Sequence, residues 1–371
     1  MFKAPVRKAT IALLTLCSTF LGISNIARAD VTLGAILPLT GVSASIGEDQ
    51  RRGLELAVRQ INAKGGVIGQ KLKVIIEDSA GNPITGLDAV RKLTQINHVP
   101  LVIGAFSSGV TIPIGQYLVK HKLVHINISG TSTDIRKIGN YSYSVIGLDD
   151  LSAKFSAQDV YNQGYRRVAF IAPNGAYGQG MARQFTRFFQ KLGGTVISQV
   201  LYTRGQATYR SELEQLTRSH PQIYVYTSYG QDAIVLNRDA YQLGLHQKPW
   251  YGIYLAMCAA KSPAQYTQGQ MGMGVASLGP QGKHYVTDYR KRYHEAPQSA
   301  YGSYAYDSIM LAAKAINAAK SSQPAALQKA MLKVAPHFNG VTGPLNLDSD
   351  HLRQSQPYRK VKMVNGELTS R

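Results

Sequence analysis

The stretch from Leu101 to Thr131 constrains the fold more than any other part of the chain. A short apolar run (Leu101 to Ile103) ends at Gly104, and a small polar turn follows at Ser107, Ser108 and Gly109. A helical segment spans about Thr111 to Val119. A second apolar run, Leu123 to Ile128, ends in another small polar turn, Ser129, Gly130 and Thr131. Strand, loop, helix, strand, loop is the repeating unit of a parallel sheet, because parallel neighbours need a crossover between them. Both turns then leave the sheet at its carboxyl edge, where open α/β sheets bind ligands. They offer hydroxyls and backbone N–H groups, and no base, nucleophile pair or metal ligand. That chemistry suits holding a small anion or polar head.

The alternation extends in both directions. Before it come a strand at Val31 to Leu37, an amphipathic helix carrying Leu54, Ala57, Val58 and Ile61 and stopped at Gly65-Gly66, a strand at Leu72 to Glu77 and a helix at Thr85 to Ile96. After it, an extended segment (Tyr141 to Ile146) leads through Gly147-Leu148-Asp149-Asp150 into a second series. Strands are expected at Arg167 to Ile171, Thr195 to Tyr202, Ile223 to Tyr226 and Trp250 to Leu255. Helices are expected near Leu151 to Asn162, after the loop 172–180, near Tyr209 to Arg218, and before Gly244. Two similar α/β lobes are the simplest architecture. An extended Met273 to Leu278, helices near His284 to His294, Tyr304 to Ala319 and Ala325 to Val334, and a strand at Tyr358 to Val364 remain. The chain is expected to return with them to the first lobe and later cross back. Several crossings make a hinge that suits closure around a ligand.

The chain has 371 residues, enough for two domains with cores of their own. Residues 1–29 read as a secretory signal peptide: basic Lys3, Arg7 and Lys8, an apolar Ile11 to Ile23, and Ala27-Arg28-Ala29 before Asp30. The apolar run is too short for a membrane anchor. Cys17 follows Leu16, where a lipid-attachment site wants a small residue, so lipid anchoring is the minor alternative. Only Cys258 lies beyond the leader, which leaves no partner for an intrachain disulfide. The formal charge is +20. Its basic residues are scattered, with no long basic run and no nucleic-acid signature, so a solvated basic surface is expected and nucleic acid is not.

Signals for catalysis are missing. There is no G-x-S-x-G at a strand end and no H-E-x-x-H. His121 and His125 are four apart but run into a strand, so they do not form a helical metal pair, and no metal or cofactor is expected. In Asn174 to Gly180, Gly175 and Gly180 have P-loop spacing, but Met181 and Ala182 stand where Lys and Ser/Thr belong. The positive signal is the set of strand-end loops. The first lobe supplies Leu39-Thr40-Gly41, Ser107-Ser108-Gly109 and Ser129-Gly130-Thr131. The second supplies Ala176-Tyr177-Gly178, Thr227 to Gly230 and Ile253-Tyr254. The chain has 22 Tyr against 9 Phe and 1 Trp, and a tyrosine gives an apolar wall with a polar tip.

Several of these pieces together carry a resemblance. They are Ile36 to Gly41, Ile61 to Gly66 with Glu77-Asp78, Val102-Ile103-Gly104 with Ser107-Ser108, Ala176-Tyr177-Gly178, Tyr304 to Asp307, and Phe338 to Gly340 with Thr342 to Leu345. The chain resembles the periplasmic leucine/isoleucine/valine-binding family of ABC-transporter substrate-binding proteins, across essentially everything beyond the leader. The resemblance implies an α/β type I periplasmic binding protein: two Rossmann-like doubly wound lobes joined by a three-stranded hinge, with the ligand cleft between them. Residues 30–147 with 277–345 would form the N-terminal lobe, and 148–276 with 346–371 the C-terminal lobe. It implies a non-enzymatic monomer that carries an amino acid or related organic acid to an inner-membrane ABC permease, or presents it to a membrane sensor. By position, Ser108, Ser129, Gly130 and Thr131 would hold a ligand carboxylate, with Tyr177 and Tyr229 as aromatic walls. The family's ammonium-pairing acid falls at Tyr254, a first-loop aromatic is replaced by Ile46, and the family's disulfide is missing. Either another acid, such as Asp232, turns inward, or the ligand has no ammonium; the expectation is the second, a ligand with a carboxylate or amide head and an uncharged body that an aromatic ring would suit.

Overall fold

In the computed structural model, residues 1–2, 30–259, 261–275, 281–297 and 299–371 are described. Residues 3–29 of the expected signal peptide and the end of the Met273 to Leu278 segment lie outside them. The first lobe starts with β1 (Val31–Leu37), α1 (Ala44–Ala63), β2 (Leu72–Asp78), α2 (Pro83–Arg91), β3 (Leu101–Gly104), α3 (Ser108–Lys120), β4 (Val124–Asn127) and β5 (Ser142–Gly147). The second lobe follows with α4 (Asp149–Asn162), β6 (Arg167–Pro173), α5 (Ala176–Lys191), β7 (Thr195–Tyr202), α6 (Arg210–Thr217), β8 (Ile223–Tyr226), α7 (Gln231–Gln242), β9 (Trp250–Ile253), α8 (Leu255–Ala259), α9 (Ala264–Thr267) and β10 (Met271–Val275). Then come α10 (Gly282–Tyr293), α11 (Tyr301–Ala319), α12 (Pro324–Val334), β11 (Asn339–Gly340), β12 (Gly343–Pro344), β13 (Leu352–Arg353), β14 (Tyr358–Val364) and β15 (Glu367–Ser370).

Local chemistry sets these elements. The buried stripe of α1 includes Ile46, Leu54, Ala57 and Ile61, while Arg51 and Arg52 pair with Glu48 on its outer side. The helix begins at Ala44, ten residues ahead of Leu54, the first of the apolar positions that announce it. Helix α2 opens with Pro83 at its first turn behind Asn82, whose side chain accepts from the Ile84 and Thr85 amides. Strands β3, β4 and β8 are buried along their whole length, as strands covered on both faces must be.

The first sheet has the order β13-β5-β4-β3-β1-β2, and the second β15-β14-β10-β9-β8-β6-β7. All described pairings of the first sheet are parallel. In the second, β14 pairs antiparallel with β10 and β15, and the rest are parallel. Each sheet reverses direction of growth once: between β1 and β3 in the first, and between β6 and β8 in the second. These are the switch points at which crevices open.

The helices after β10 cover the first lobe. Helix α11 lies along α1, where the Tyr306 hydroxyl donates to Gln60 Oε1 at 2.5 Å. Asp49 accepts from the Gly302 amide at 3.2 Å and from the Tyr289 hydroxyl at 3.2 Å. Strand β13 pairs with β5 before the chain enters the second sheet as β14. That pairing moves our proposed third crossing from the expected 345/346 to between Arg353 and Tyr358. First and third crossings are tied together: the Gly147 amide donates to Gln356 Oε1 at 2.6 Å.

Candidate functional site

The two switch points face each other. Loops after β3 and β4 on the first lobe meet loops after β6, β8 and β9 on the second. Ser108, Ser129 and Thr131 line one small cavity with Tyr177 and Tyr229, completed by Phe106, Ser107, Met257 and Tyr301. Its volume is about 20 Å3. Ser108, Ser129, Thr131, Tyr177 and Tyr229 are each at least nine-tenths buried. Helix α3 starts at Ser108 and α5 at Ala176. Their first turns therefore bring the positive ends of two helix dipoles to the cavity, which favours an anion there.

The hydroxyls are arranged as donors. Ser108 Oγ accepts from the Thr131 amide at 3.1 Å and the Ser132 amide at 3.0 Å. A serine hydroxyl has two acceptor positions and one hydrogen. With both acceptor positions filled, Ser108 has only its O–H to offer. Ser129 Oγ accepts from Gln50 Nε2 at 2.5 Å, so its hydrogen is likewise released for donation. Gly130 does not line the cavity. Its amide donates to Asn127 Oδ1 at 2.8 Å and its carbonyl accepts from Asn127 Nδ2 at 2.8 Å, which fixes the turn carrying Ser129 and Thr131.

On the opposite side, rings face inward and polar tips are tied down. The Tyr177 hydroxyl is 2.6 Å from Thr227 Oγ1 within the second lobe. Tyr229 meets Phe106 edge-on across the cleft, with centroids 5.4 Å apart and an angle of 85°. Arg204 lies over the other side of Tyr229, 4.3 Å from its centroid, and donates to Asp232 Oδ2 at 2.8 Å. Burial pushes the Tyr177 and Tyr229 phenols up, so both stay neutral. At the rim the lobes touch backbone to backbone. Gly230 has φ of 62°, and a side-chain carbon there would stand 2.0 Å from the Val42 carbonyl oxygen, so this contact requires glycine.

Tyr254 lines a neighbouring chamber instead. That chamber has a volume of about 90 Å3 and mainly apolar walls, including Ile46, Ile146, Ile234 and Tyr304. Met257 and Tyr301 belong to both spaces and form the wall between them. Tyr254 holds φ of 61°, a left-handed backbone that a bulky residue adopts only where its surroundings enforce it.

Two expectations are corrected here. The Leu39-Thr40-Gly41 loop spends its donors on Asp78, which accepts from the Leu39 amide and the Thr40 hydroxyl. Asp232 does not turn into the cavity: besides Arg204, it accepts from the Gly205 amide at 2.8 Å and the Tyr209 hydroxyl at 2.6 Å. Tyr254 lines the adjoining chamber and not the small cavity that Ser108, Ser129, Thr131, Tyr177 and Tyr229 share. Sequence reasoning missed Phe106, Met257 and Tyr301 as wall residues. It also missed Asp149, at the start of α4, which is wholly buried and lacks a hydrogen bond of ordinary geometry at either carboxylate oxygen. An acid directly after a buried strand, at a crossing between lobes, was the available signal. Cys258 is buried too, and burial pushes its thiol up to about 12, leaving it protonated.

Comparison with known proteins agrees with this architecture. A family model described as periplasmic binding protein matches residues 30–367. A Leu/Ile/Val-binding protein of Rhizobium johnstonii is 30% identical over 225 residues, covering 60% of this chain and 61% of the relative. The chain thus spans less than two thirds of that relative's length. A branched-chain amino acid transporter substrate-binding protein from Streptococcus pneumoniae, solved with isoleucine, is 22% identical with a TM-score of 0.80, covering 92% of this chain and 98% of that one. A solute-binding protein from R. palustris, solved with benzoate, is 18% identical with a TM-score of 0.82, covering 92% and 95%. At these identities the two solved structures speak to fold.

Proposed function

The chain belongs to the periplasmic binding protein family, and from that premise we propose that it is the solute-binding component of an ABC importer. It takes a small carboxylate-bearing ligand into the cleft, closes its lobes around it and delivers it to a membrane permease. Export to the periplasm through residues 1–29 belongs to the same reading. The observation that carries it is the pair of serine hydroxyls at the first lobe's strand ends. Ser108 and Ser129 already accept hydrogen bonds from the protein and have donors left over. Such donors are matched to a carboxylate, and charge-assisted bonds of this kind are about twice as strong as neutral ones.

The ligand body would extend past Met257 and Tyr301 into the apolar chamber of about 90 Å3. An apolar cavity of about 150 Å3 holds a benzene, so a short branched aliphatic body fits these walls, and an aromatic one requires the lobes to part slightly. Closure is favoured because both lobes contribute walls, so ligand contacts are complete only in the closed form.

The test is a thermal-shift and calorimetric screen of the mature chain over amino acids, aliphatic acids and aromatic acids. A ligand that binds only the folded state raises its melting temperature. Ser108→Ala should weaken every hit, and unchanged affinity would sink the assignment of the cleft.

A further inference from the structure

The first lobe carries a groove that the cleft does not use. It lies between the last turns of α1, helix α10 and the middle of α11, and residues 338–341 close one side of it. Its volume is about 890 Å3. A neighbouring hollow of about 400 Å3 shares Gln60, Ala63 and Asp288 with it and continues it along α10. Tyr306, Met310 and Phe338 give the groove an apolar floor.

The rims are cationic. Arg59 and Lys64 stand at the end of α1, Lys291 and Arg292 in the last turn of α10, and Lys314 on α11. All five are exposed. Among the described residues, none of the five makes an ion pair or a side-chain hydrogen bond. Arg292 lies 5.8 Å from the centroid of the Tyr293 ring, a contact that leaves its N–H groups uncommitted. The acids nearby have partners already. Asp288 accepts from Gln60 Nε2 at 2.8 Å, and Asp307 accepts from the Val341 and Thr342 amides and the Thr342 hydroxyl. The cleft end of α1 is the opposite case. There Arg51 pairs with Glu48 and Glu55, and Arg52 with Glu48 and Glu295.

We propose that this groove is a docking surface for an anionic lipid membrane, with the five cations against lipid phosphates and the apolar floor facing the layer beneath them. A headgroup layer fits these cations better than an acidic peptide does. A defined peptide carboxylate is best held by a guanidinium fixed in a bidentate pair. Here the cations stand on exposed stems that no hydrogen bond fixes, which suits a fluid array of phosphates. Each cation at such a surface strengthens binding about fivefold, and the effect fades within about 10 Å at 0.1 M salt.

The groove and the cleft lie at opposite ends of α1, which runs from Ala44 to Ala63. At 1.5 Å per residue the two are about 24 Å apart along the helix. A chain docked through the groove keeps its cleft clear of the contact. The proposal is therefore independent of what the cleft binds.

The whole chain is basic, at +20, so the experiment separates the groove from the total charge. The mature chain is sedimented with vesicles of phosphatidylcholine carrying phosphatidylglycerol, and with pure phosphatidylcholine, at low salt and at about 0.5 M salt. Wild type should bind the anionic vesicles at low salt only. A variant combining Lys291→Glu, Arg292→Glu and Lys314→Glu should lose about 100-fold or more. The control combines Lys191→Glu, Arg218→Glu and Lys248→Glu, three exposed cations of the second lobe, and should stay within about fivefold of wild type. Circular dichroism checks the fold of both. Should the glutamates unfold the groove variant, the same three positions changed to Gln test the point with an expected loss of about tenfold or more. Equal losses in the groove and control variants would overturn the proposal, because the total charge would then be responsible. Binding to pure phosphatidylcholine that salt does not weaken would overturn it too. So would the absence of vesicle binding by wild type at low salt, and retention of polyglutamate in that case would reassign the face to an acidic protein.

Discussion

The two lobes share a strand–helix plan and a single switch point each, yet they meet the cleft with opposite chemistry. The first lobe brings short side chains, Ser108, Ser129 and Thr131, on turns locked by Asn127 and by the Ser108 acceptor contacts. The second brings rings, Tyr177 and Tyr229, whose positions are set from behind by Thr227 and Arg204. Topology places a crevice at each switch point, and the residues at the strand ends decide what that crevice can do. A polar clamp needs fixed donors, because an oxyanion is held by geometry. A ring wall tolerates small shifts, because dispersion and burial are not directional. The division suits a molecule in which one lobe orients the head and the other closes over it.

The largest test of this division is Ser108→Ala. It removes the donor to the ligand and orphans the Thr131 and Ser132 amides that Ser108 now accepts from. Leaving buried groups unpaired costs about 1–3 kcal/mol each, so affinity should fall about 100-fold while circular dichroism stays native. An effect below about threefold would mean that the first lobe does not hold the head. Thr131→Ala should cost less, because the two amides keep their Ser108 partner, and the same titration reads it.

On the second lobe the comparison predicts a different pattern. Tyr229→Ala removes a wall and unseats Arg204 and Phe106 from its faces, so affinity should fall about tenfold, mostly through faster release. Tyr229→Phe keeps the ring and should stay within about twofold of wild type, in line with a wall role. Stopped-flow dissociation rates check both. If Phe were as damaging as Ala, the second lobe would be supplying a hydrogen bond, and the contrast between lobes would fail.

Much of this was legible in the chain because fully buried strands and their turns are local signals. β1, β7, β8 and β14 have the limits the apolar runs indicate. Helix starts were less legible. α5 begins at Ala176, inside the glycine-rich stretch that reads as loop. Gly178 and Gly180 there serve close approach: a side-chain carbon at Gly178 would stand 1.9 Å from the Pro173 carbonyl oxygen. The hydroxyls and Tyr177 and Tyr229 could be picked because each follows a strand directly. Tyr301 could not, because its place depends on a helix returning to the first lobe, whereas Met257 on α8 after β9 and Asp149 on α4 after β5 each stood close behind a strand. Nothing within a few residues of Tyr301 announces that α11 will bring it to Phe106, 5.4 Å between ring centroids. Asp232 shows the reverse error: an acid beside a chosen loop, whose valence is already filled by Arg204, Gly205 and Tyr209.

The smallest effect separates two acids of comparable burial, Asp149 at the cleft and Asp307 behind the first lobe. Burial raises both, Asp149 to about 8 and Asp307 to about 6. The ordinary unfolded value is about 3.9. A carboxyl whose folded value is raised holds its proton more tightly in the folded state, so its contribution is fully present below about pH 4 and is lost as pH rises through the folded value. For Asp149 the loss continues to about pH 8, at up to about 1.4 kcal/mol per unit. For Asp307 it ends near 6, because three donors stabilise the anion. In the ligand-free protein, Asp149→Asn should therefore leave the melting temperature unchanged near pH 4 and raise it by a few degrees at pH 8. Asp307→Asn should lower it at both values, since an amide cannot accept from all three donors. Melting curves of both variants at pH 4, 6 and 8 decide the matter. A destabilised Asp149→Asn at pH 8 would show that the carboxylate is satisfied within the protein, and the contrast between an unsatisfied acid and a satisfied one would fall.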